Sequence, residues 1–388
     1  MEPVQLTIEA EPTATGEAED RLRLRMPRVS DLPRIAEMSA DEAVVANTLV
    51  PVPWTAADGD AHLDRYRRSW DDGWPRWVIA GADDDVLGAV GLRPEGFGAE
   101  IVYQTAPWAR RRGVAVRACH AALRYAFDEL SVHRISWSAI TGNHVSRLVA
   151  LRLGFTMEGI RRHGVVQRGE PVDAWTAALL PGELRKPSEP PVDYALWRQR
   201  AGVFSAPQPR LATALEHVAL RPLTDDDVDR LTATGADPVT RRWTTVPRPY
   251  RTRHSVDFVN TFATRVWRLG TGAVFAVVDA DDLYCGTIEI RLHDDDPRRA
   301  DIGCITAPWS RGHGYMTAAT KALCRYGFDV LGVERIEWHA HVGNEASIRV
   351  ATKAGFVAEG VARAGAPFFG EHRDLWQGAV LADDLPTA

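Results

Sequence analysis

Only four cysteines occur in the 388 residues, Cys119, Cys285, Cys304 and Cys324, and none stands in a Cys-x-x-Cys pair. That argues against a zinc site or a dithiol redox motif, and it predicts reduced, mostly buried thiols in a cytoplasmic protein. No apolar run reaches the roughly 18 residues that a membrane span requires. Residues 1–20 are acidic and carry no basic-then-apolar leader, so they are expected to be a flexible tail. Positive charge is in short supply too. A net charge of −6 gives no general attraction to nucleic acid, which leaves only local basic patches. With 45% hydrophobic and 25% charged residues, neither global disorder nor a fibrous class fits.

What the chain does have is a repeat. The stretch TAPWARRRGVAVRACHAALRYAFDEL from Thr105 returns as TAPWSRGHGYMTAATKALCRYGFDVL from Thr306. The same shift of 201 residues carries His133–Phe155 onto Glu334–Phe356, and Glu158-Gly159 onto Glu359-Gly360. Solenoid repeats have periods of about 20 to 50 residues, so this one is a duplicated domain. The expected organisation is a tail over 1–20, one domain over 21–182, a proline-rich, charged linker over 183–216, and a second domain over 217–388. The two copies make a pseudo-dimer within the chain, which as a whole is a monomer or a homodimer.

Each copy reads as an α+β domain, an α/β sandwich. Two apolar runs flank an Asp-rich turn in RWVIAGADDDVLGAVGLRP from Arg76 and in VFAVVDADDLYCGTIEIRL from Val274, predicting a hairpin. A third strand follows, then the repeated motif, an amphipathic helix, another strand, a second helix at Asn-x-x-Ser, and a closing strand. Together these predict a largely antiparallel mixed sheet flanked by helices.

The repeated motif carries the chemistry. A glycine-bearing loop that leaves a strand and opens a helix can turn successive backbone N–H groups toward one anion, and the helix start adds partial positive charge. The same loop is also ordinary turn chemistry. Arg-x-x-Gly-x-Ala/Met, followed some 30 residues on by Asn-x-x-Ser and then Gly-Phe, resembles the GNAT superfamily of acyl-CoA N-acyltransferases. Within it, the chain is similar to the ribosomal-protein N-terminal acetyltransferase (RimJ/RimL-like) branch. The resemblance covers residues 21–182 and 217–383.

This resemblance implies a cradle for the pyrophosphate of acetyl-CoA, or of another acyl-CoA, at Arg110, Arg111, Arg112, Gly113, Val114 and Ala115. The second copy offers Arg311, Gly312, His313, Gly314, Tyr315 and Met316. The copies disagree at Arg111 against Gly312, and Met316 stands where the family usually has Gly or Ala. The resemblance also implies an oxyanion-binding amide around Gln104 or Ile305, and a proton donor for the leaving thiolate in Ser146 or Ser347. Asn143 and Asn344 would order the pantetheine, or simply cap the following helices.

An amine must be neutral to attack, so a base should help remove its proton. The glutamate that some members of the branch carry beyond the serine is replaced by Val165 and Ala366. Glu100 and Asp301 are the candidate bases. Asp173 and Asp374 are alternatives that could equally satisfy backbone, with Asp374 kept as an acceptor contact. His339 and His341 alternate onto one face of a strand, where the first copy has Ser138 and Ile140. Trp54, Trp243 and Tyr250 could wall an acceptor groove, and the arginines of RRWTTVPRPYRTRHS would favour an acidic or phosphorylated acceptor.

The resulting expectation is a cytoplasmic N-acetyltransferase that moves an acyl group directly from CoA to a small-molecule or peptide amine, without a metal. The alternatives are a different donor, including an aminoacyl-tRNA, or an acyl-CoA-binding scaffold with one degenerate domain. No membrane partner is expected, and no nucleic acid beyond such a tRNA.

Overall fold

The computed structural model describes residues 1–9 and 21–385. The chain divides into two compact units, Met1–Tyr194 and Ala195–Ala388. Among the described residues no helix is long and apolar enough to cross a membrane.

The first unit runs β1 (Leu6–Ile8), β2 (Leu22–Arg25), α1 (Leu32–Ser39), α2 (Glu42–Asn47), α3 (Ala56–Asp71), β3 (Arg76–Ala80), β4 (Val86–Glu95), β5 (Gly98–Thr105), α4 (Val114–Asp128), β6 (Ile135–Ile140), α5 (His144–Leu153), β7 (Thr156–Gln167) and β8 (Glu170–Leu179). Its sheet order is β1-β2-β3-β4-β5-β6-β8-β7. All neighbours are antiparallel except β5 and β6. The second unit runs α6 (Tyr194–Phe204), β9 (Leu211–Ala212), β10 (Ala219–Arg221), α7 (Val228–Ala236), α8 (Pro238–Trp243), α9 (Thr252–Asp257), α10 (Thr264–Leu269), β11 (Gly272–Val278), β12 (Tyr284–Leu292), β13 (Arg299–Thr306), α11 (Tyr315–Asp329), β14 (Arg335–His341), α12 (Glu345–Ala354), β15 (Val357–Phe368) and β16 (Glu371–Leu381). Its sheet, β9-β10-β11-β12-β13-β14-β16-β15, repeats the plan, again with one parallel pair, β13 with β14. These are the two mixed-sheet domains that the sequence pattern predicted.

The tail is not wholly free. Leu6–Ile8 pair with Leu24–Leu22, and the Trp77 indole donates to the Val4 carbonyl at 2.8 Å. An otherwise open edge of β2 thereby gains backbone partners that the segment's acidity does not reveal. The rest of the expected tail lies outside the described residues. The expected linker is likewise built into the folds. Arg185 N–H donates to Leu153 O at 3.0 Å in the first unit. In the second, Arg200 reaches Leu331 O at 2.7 Å, and Phe204 packs edge-on to Trp267. Burial of Ala201 and Phe204 anchors α6, since a fully buried aromatic contributes about 1.5–3 kcal/mol.

In the second unit α11 lays Met316, Ala319 and Leu323 against Ile288, Ile290, Ile302 and Ile336. That 3- and 4-residue spacing is the apolar stripe of a helix covering a sheet. Gly327 makes the approach possible, because a Cβ there would meet the Ile290 and Ile336 Cδ1 atoms at 2.9 Å.

In the first unit His62 is buried against Tyr66 and the edge of Trp54. Burial, reinforced by Arg65 and Arg76, pushes its imidazole down to about 4. The unfolded chain therefore binds a proton near pH 6.5 that the folded chain refuses until about pH 4. Stability from this site is complete above pH 6.5 and falls as pH drops toward 4, by about 3 kcal/mol in all. Denaturant midpoints of the intact chain between pH 7 and pH 4 should show this loss, and His62→Phe should flatten it. An equally steep profile in the variant would count against the assignment.

Candidate active site

The site begins where the one parallel pair comes apart. β5 and β6 pair only at Ala99–Ile135 and Glu100–Ser136, and β13 and β14 only from Arg299–Arg335 to Ile302–Trp338. Beyond these points each strand stays with its antiparallel neighbour on the other side, to Thr105, Ile140, Thr306 and His341. A gap opens between them.

Strand alternation decides which amides face that gap. Ala106 N–H donates to Leu87 O and Ala99 N–H to Arg134 O, so Gln104 turns to β4 while Tyr103 and Thr105 face the gap. Likewise Ala307 N–H donates to Cys285 O, so Ile305 turns to β12 and Cys304 and Thr306 face the gap. The oxyanion amide expected at Gln104 or Ile305 is therefore corrected by one residue, because each of those two N–H groups is committed to its antiparallel neighbour.

Below the gap lies the loop. Gly113 (φ 68°) and Gly314 (φ 78°) occupy the N-cap positions of α4 and α11, and neither helix has a side-chain cap. The first amides of each helix thus lack an intrahelical or side-chain acceptor, which suits an anion. Arg111 (φ 63°) and Gly312 (φ 83°) share the left-handed conformation, so the copies keep one backbone. Arginine there costs about 1–2 kcal/mol that glycine does not. Met316 is buried in the core, with its Cε atom against Gly286, so its bulk lies away from the helix start. Tyr315 stands with its ring 5.5 Å from that of His217 and 5.6 Å from that of His313. Val114 is buried and Ala115 half-buried, and Arg112 is engaged within the protein.

Two cradle arginines have another task. Arg110 pairs with Asp41, the N-cap of α2, and holds its carboxyl below the usual range. Arg311 pairs with Asp237, the N-cap of α8, at 2.6 Å and touches the Thr240 hydroxyl at 3.2 Å. Burial pushes Asp237 up, but Arg311 and the Thr240 amide bring it below the usual range. These arginines tie the loop to the preceding helices, and their charge is already matched by a carboxylate.

Asn143 and Asn344 cap α5 and α12, accepting from the Ser146 and Ser347 amides at 3.1 and 3.4 Å. The serine hydroxyls are held by residues that sequence reasoning missed. Trp338 Nε1 donates to Ser347 Oγ at 3.0 Å. Trp137 Nε1 approaches Ser146 Oγ at 3.3 Å, and the Tyr103 hydroxyl lies 2.8 Å from the same oxygen. A tryptophan nine residues before the serine in both copies was the available signal. Cys304 stands where the first copy has Tyr103. Burial of the sulfur and nearby Glu289 push its thiol up to about 11, so it is held protonated.

The expected bases do not survive. Glu100 is buried and accepts from Arg93 and from Ser138 Oγ at 2.5 Å. Asp301 binds Arg291 Nε at 2.6 Å and has His293 at 3.5 Å. Both carboxylates are engaged by arginines of the adjacent strand, ahead of the gap. Asp173 and Asp374 accept from the His163 and Ala364 amides at 3.0 and 2.8 Å, where the long hairpins shift register. Asp374 thus braces the hairpin instead of contacting an acceptor.

Tyr250 packs against Gly235 with its hydroxyl near Ser255, so it supports the loop instead of walling a groove. Trp54 lies against His62 in the first unit. Trp243 reaches to 3.5 Å from where a Cβ on Gly343 would stand, and Arg242 covers its ring.

His339 and His341 share the β14 face opposite Trp338. His341 packs edge-on to Phe368 at 5.0 Å, and its Nδ1 is enclosed with no hydrogen-bond partner. Burial, and then the charge of Arg373, lower its pKa below the ordinary histidine value. Arg373 and Arg248 both lie over the Phe368 ring. The arrangement is a slot with two free amides, a helix start suited to an anion, a held hydroxyl on one face and a neutral imidazole on the other.

The acetyltransferase (GNAT) domain family matches the chain twice, over residues 21–156 and 217–357. The chain belongs to the GNAT acetyltransferase family. A Bacillus subtilis protein provisionally named ribosomal N-acetyltransferase YdaF is 40% identical over 95 residues, 24% of this chain and 52% of its own length. Spermidine N(1)-acetyltransferase of Escherichia coli is 33% identical over 84 residues, 22% of this chain and 45% of its own. The chain thus spans about half the length of these relatives. A structure of Mycobacterium smegmatis RimJ in complex with CoA-disulfide is 22% identical with a TM-score of 0.41, covering 46% of this chain and 89% of that one. The family is the one that the repeated motifs resemble.

Proposed function

We propose that this chain is a cytoplasmic enzyme that transfers the acetyl group of acetyl-CoA to a primary amine of a small molecule or peptide, and that the C-terminal domain performs the transfer. The observation that carries this reading is the gap beyond Ile302–Trp338, which runs toward the uncapped helix start at Gly314. The pyrophosphate binds the first amides of α11, and the pantetheine lies along the unpaired edge of β13.

The amine nitrogen attacks the thioester carbon, forming the C–N bond and an oxyanion that the Cys304 and Thr306 amides receive. The amine proton passes to His341. Because Nδ1 is enclosed, Nε2 is the ring nitrogen assigned to receive it. The C–S bond then breaks, the thiolate takes the Ser347 proton, and the serine regains one from solvent. Trp338 supports this role by fixing Ser347 Oγ. The N-terminal domain has the same loop and serine but Ile140 in place of His341, so it binds acyl-CoA without an equivalent base.

Ser347→Ala tests the assignment. The expected result is a fall in kcat of about 10- to 100-fold, with the acetyl-CoA dissociation constant essentially unchanged by calorimetry. An unaltered kcat would remove Ser347 from the mechanism. Failure of the intact chain to bind acetyl-CoA would sink the whole reading.

A further inference from the structure

We propose that the acceptor of the C-terminal domain is an amine carrying its own carboxylate or phosphate, gripped by Arg248 and Arg373 beside the base. This inference rests on the acetyl transfer proposed above and names the acceptor class for the same site.

Several arginines of this unit find acids: Arg221 pairs with Asp227, Arg291 with Asp301, Arg299 with Glu337, and Arg335 with Glu359. The stretch from Arg241 to His254 holds five arginines and no acidic residue. Among the described residues, neither Arg248 nor Arg373 meets a carboxylate. Arg373 lies 3.6 Å and Arg248 5.4 Å from the Phe368 ring centroid, and Arg248 is also 3.9 Å from that of Phe369. Two like charges are thereby held within roughly 9 Å of each other, which is unfavourable until an anion joins them. Stacking covers one face of each guanidinium and restrains it; Arg248 gives one N–H to the Arg241 carbonyl, and its remaining in-plane donors face a planar or tetrahedral oxyanion together with those of Arg373.

The pair is placed at the chemistry. Phe368, which both cations share, is also the ring against His341. Anion and amine must then be separated by only a few bonds. The N-terminal domain has no such device. Gln167 and Arg168 stand at the positions of Phe368 and Phe369, and their side chains donate to carbonyls of residues 45–50. A polycation such as spermidine, named for one relative, is the opposite of what these arginines would attract.

The test compares matched acceptors at saturating acetyl-CoA, reading release of the CoA thiol: 4-aminobutyrate against 4-aminobutanamide, phosphoethanolamine against ethanolamine, and spermidine. The expected result is a kcat/KM at least about 10-fold higher for the anionic member of a pair. The pair with the larger ratio identifies the anion. In the Arg248→Gln/Arg373→Gln double variant the ratio should fall close to one, with acetyl-CoA affinity unchanged as the check on folding. A wild type that prefers the neutral amines or spermidine, or a ratio that survives in the variant, would overturn the inference while leaving acetyl transfer standing. Absence of acetyl-CoA binding would instead remove the reading beneath it.

Discussion

Gly314→Glu should weaken acetyl-CoA binding by the C-terminal domain about 100-fold. Two effects act together. Gly314 sits at φ 78° directly before α11, where a residue with a Cβ is strained by about 1–2 kcal/mol. The new carboxylate would also stand at the helix start that is meant to receive a pyrophosphate, adding about 1–2 kcal/mol of repulsion. Nothing lies within 4 Å of where the Cβ would be, so the substitution does not disturb packing. The strain counts against binding because the free loop relaxes from the conformation that the anion needs. About 2–3 kcal/mol of the combined effect should therefore appear as lost affinity, and 1.4 kcal/mol is tenfold. Calorimetry on the intact chain, with Gly113→Glu as the companion, should resolve two sites of which each variant weakens one. If Gly314→Glu binds as the wild type does, the pyrophosphate is not held at α11.

His341→Gln should lower kcat/KM about 100- to 1,000-fold and reshape the pH profile. The base must be neutral to accept a proton, so the wild-type rate falls as pH drops through the His341 pKa, which lies below the ordinary value of 6.5. Above that limb the rate is flat with respect to the enzyme and rises only with the fraction of neutral amine, whose own pKa is near 8 to 10. Burial of the ring, and then the charge of Arg373 on β16, set the lower limb; Arg248 over the Phe368 ring and His339 and Glu337 along β14 are the other charged or titratable groups nearby. Glutamine cannot take the proton, so the variant should lose the lower limb and keep the amine limb, with acetyl-CoA affinity intact. A variant that retains both limbs would assign the proton to another group.

Carboxylate chemistry was the least legible part of the sequence. Glu100 and Asp301 look like free acids at the head of a strand, yet each meets an arginine on the adjacent strand, Arg93 or Arg291. Such pairing depends on cross-strand register, which a run of residues does not contain. The same gap in information moved the oxyanion donor from Ile305 to Cys304 and Thr306. Alternation says that neighbouring amides face opposite sides, but only the pairing of Ala307 with Cys285 says which side is which. The importance of Arg248 and Arg373 was hidden for a related reason. They lie more than a hundred residues apart in the chain and meet only through Phe368.

From the sequence alone, the duplication, the two α+β domains, the glycine-bearing loops before α4 and α11, and the Asn-capped serines were already determined, because each is written in local spacing or in self-similarity. Which carboxylates are free, which amides look into the gap, and which histidine stands neutral beside unpaired cations were decided by tertiary structure. Those properties belong to contacts between strands and loops distant in sequence, where burial and charge pairing act on groups that the chain order does not bring together.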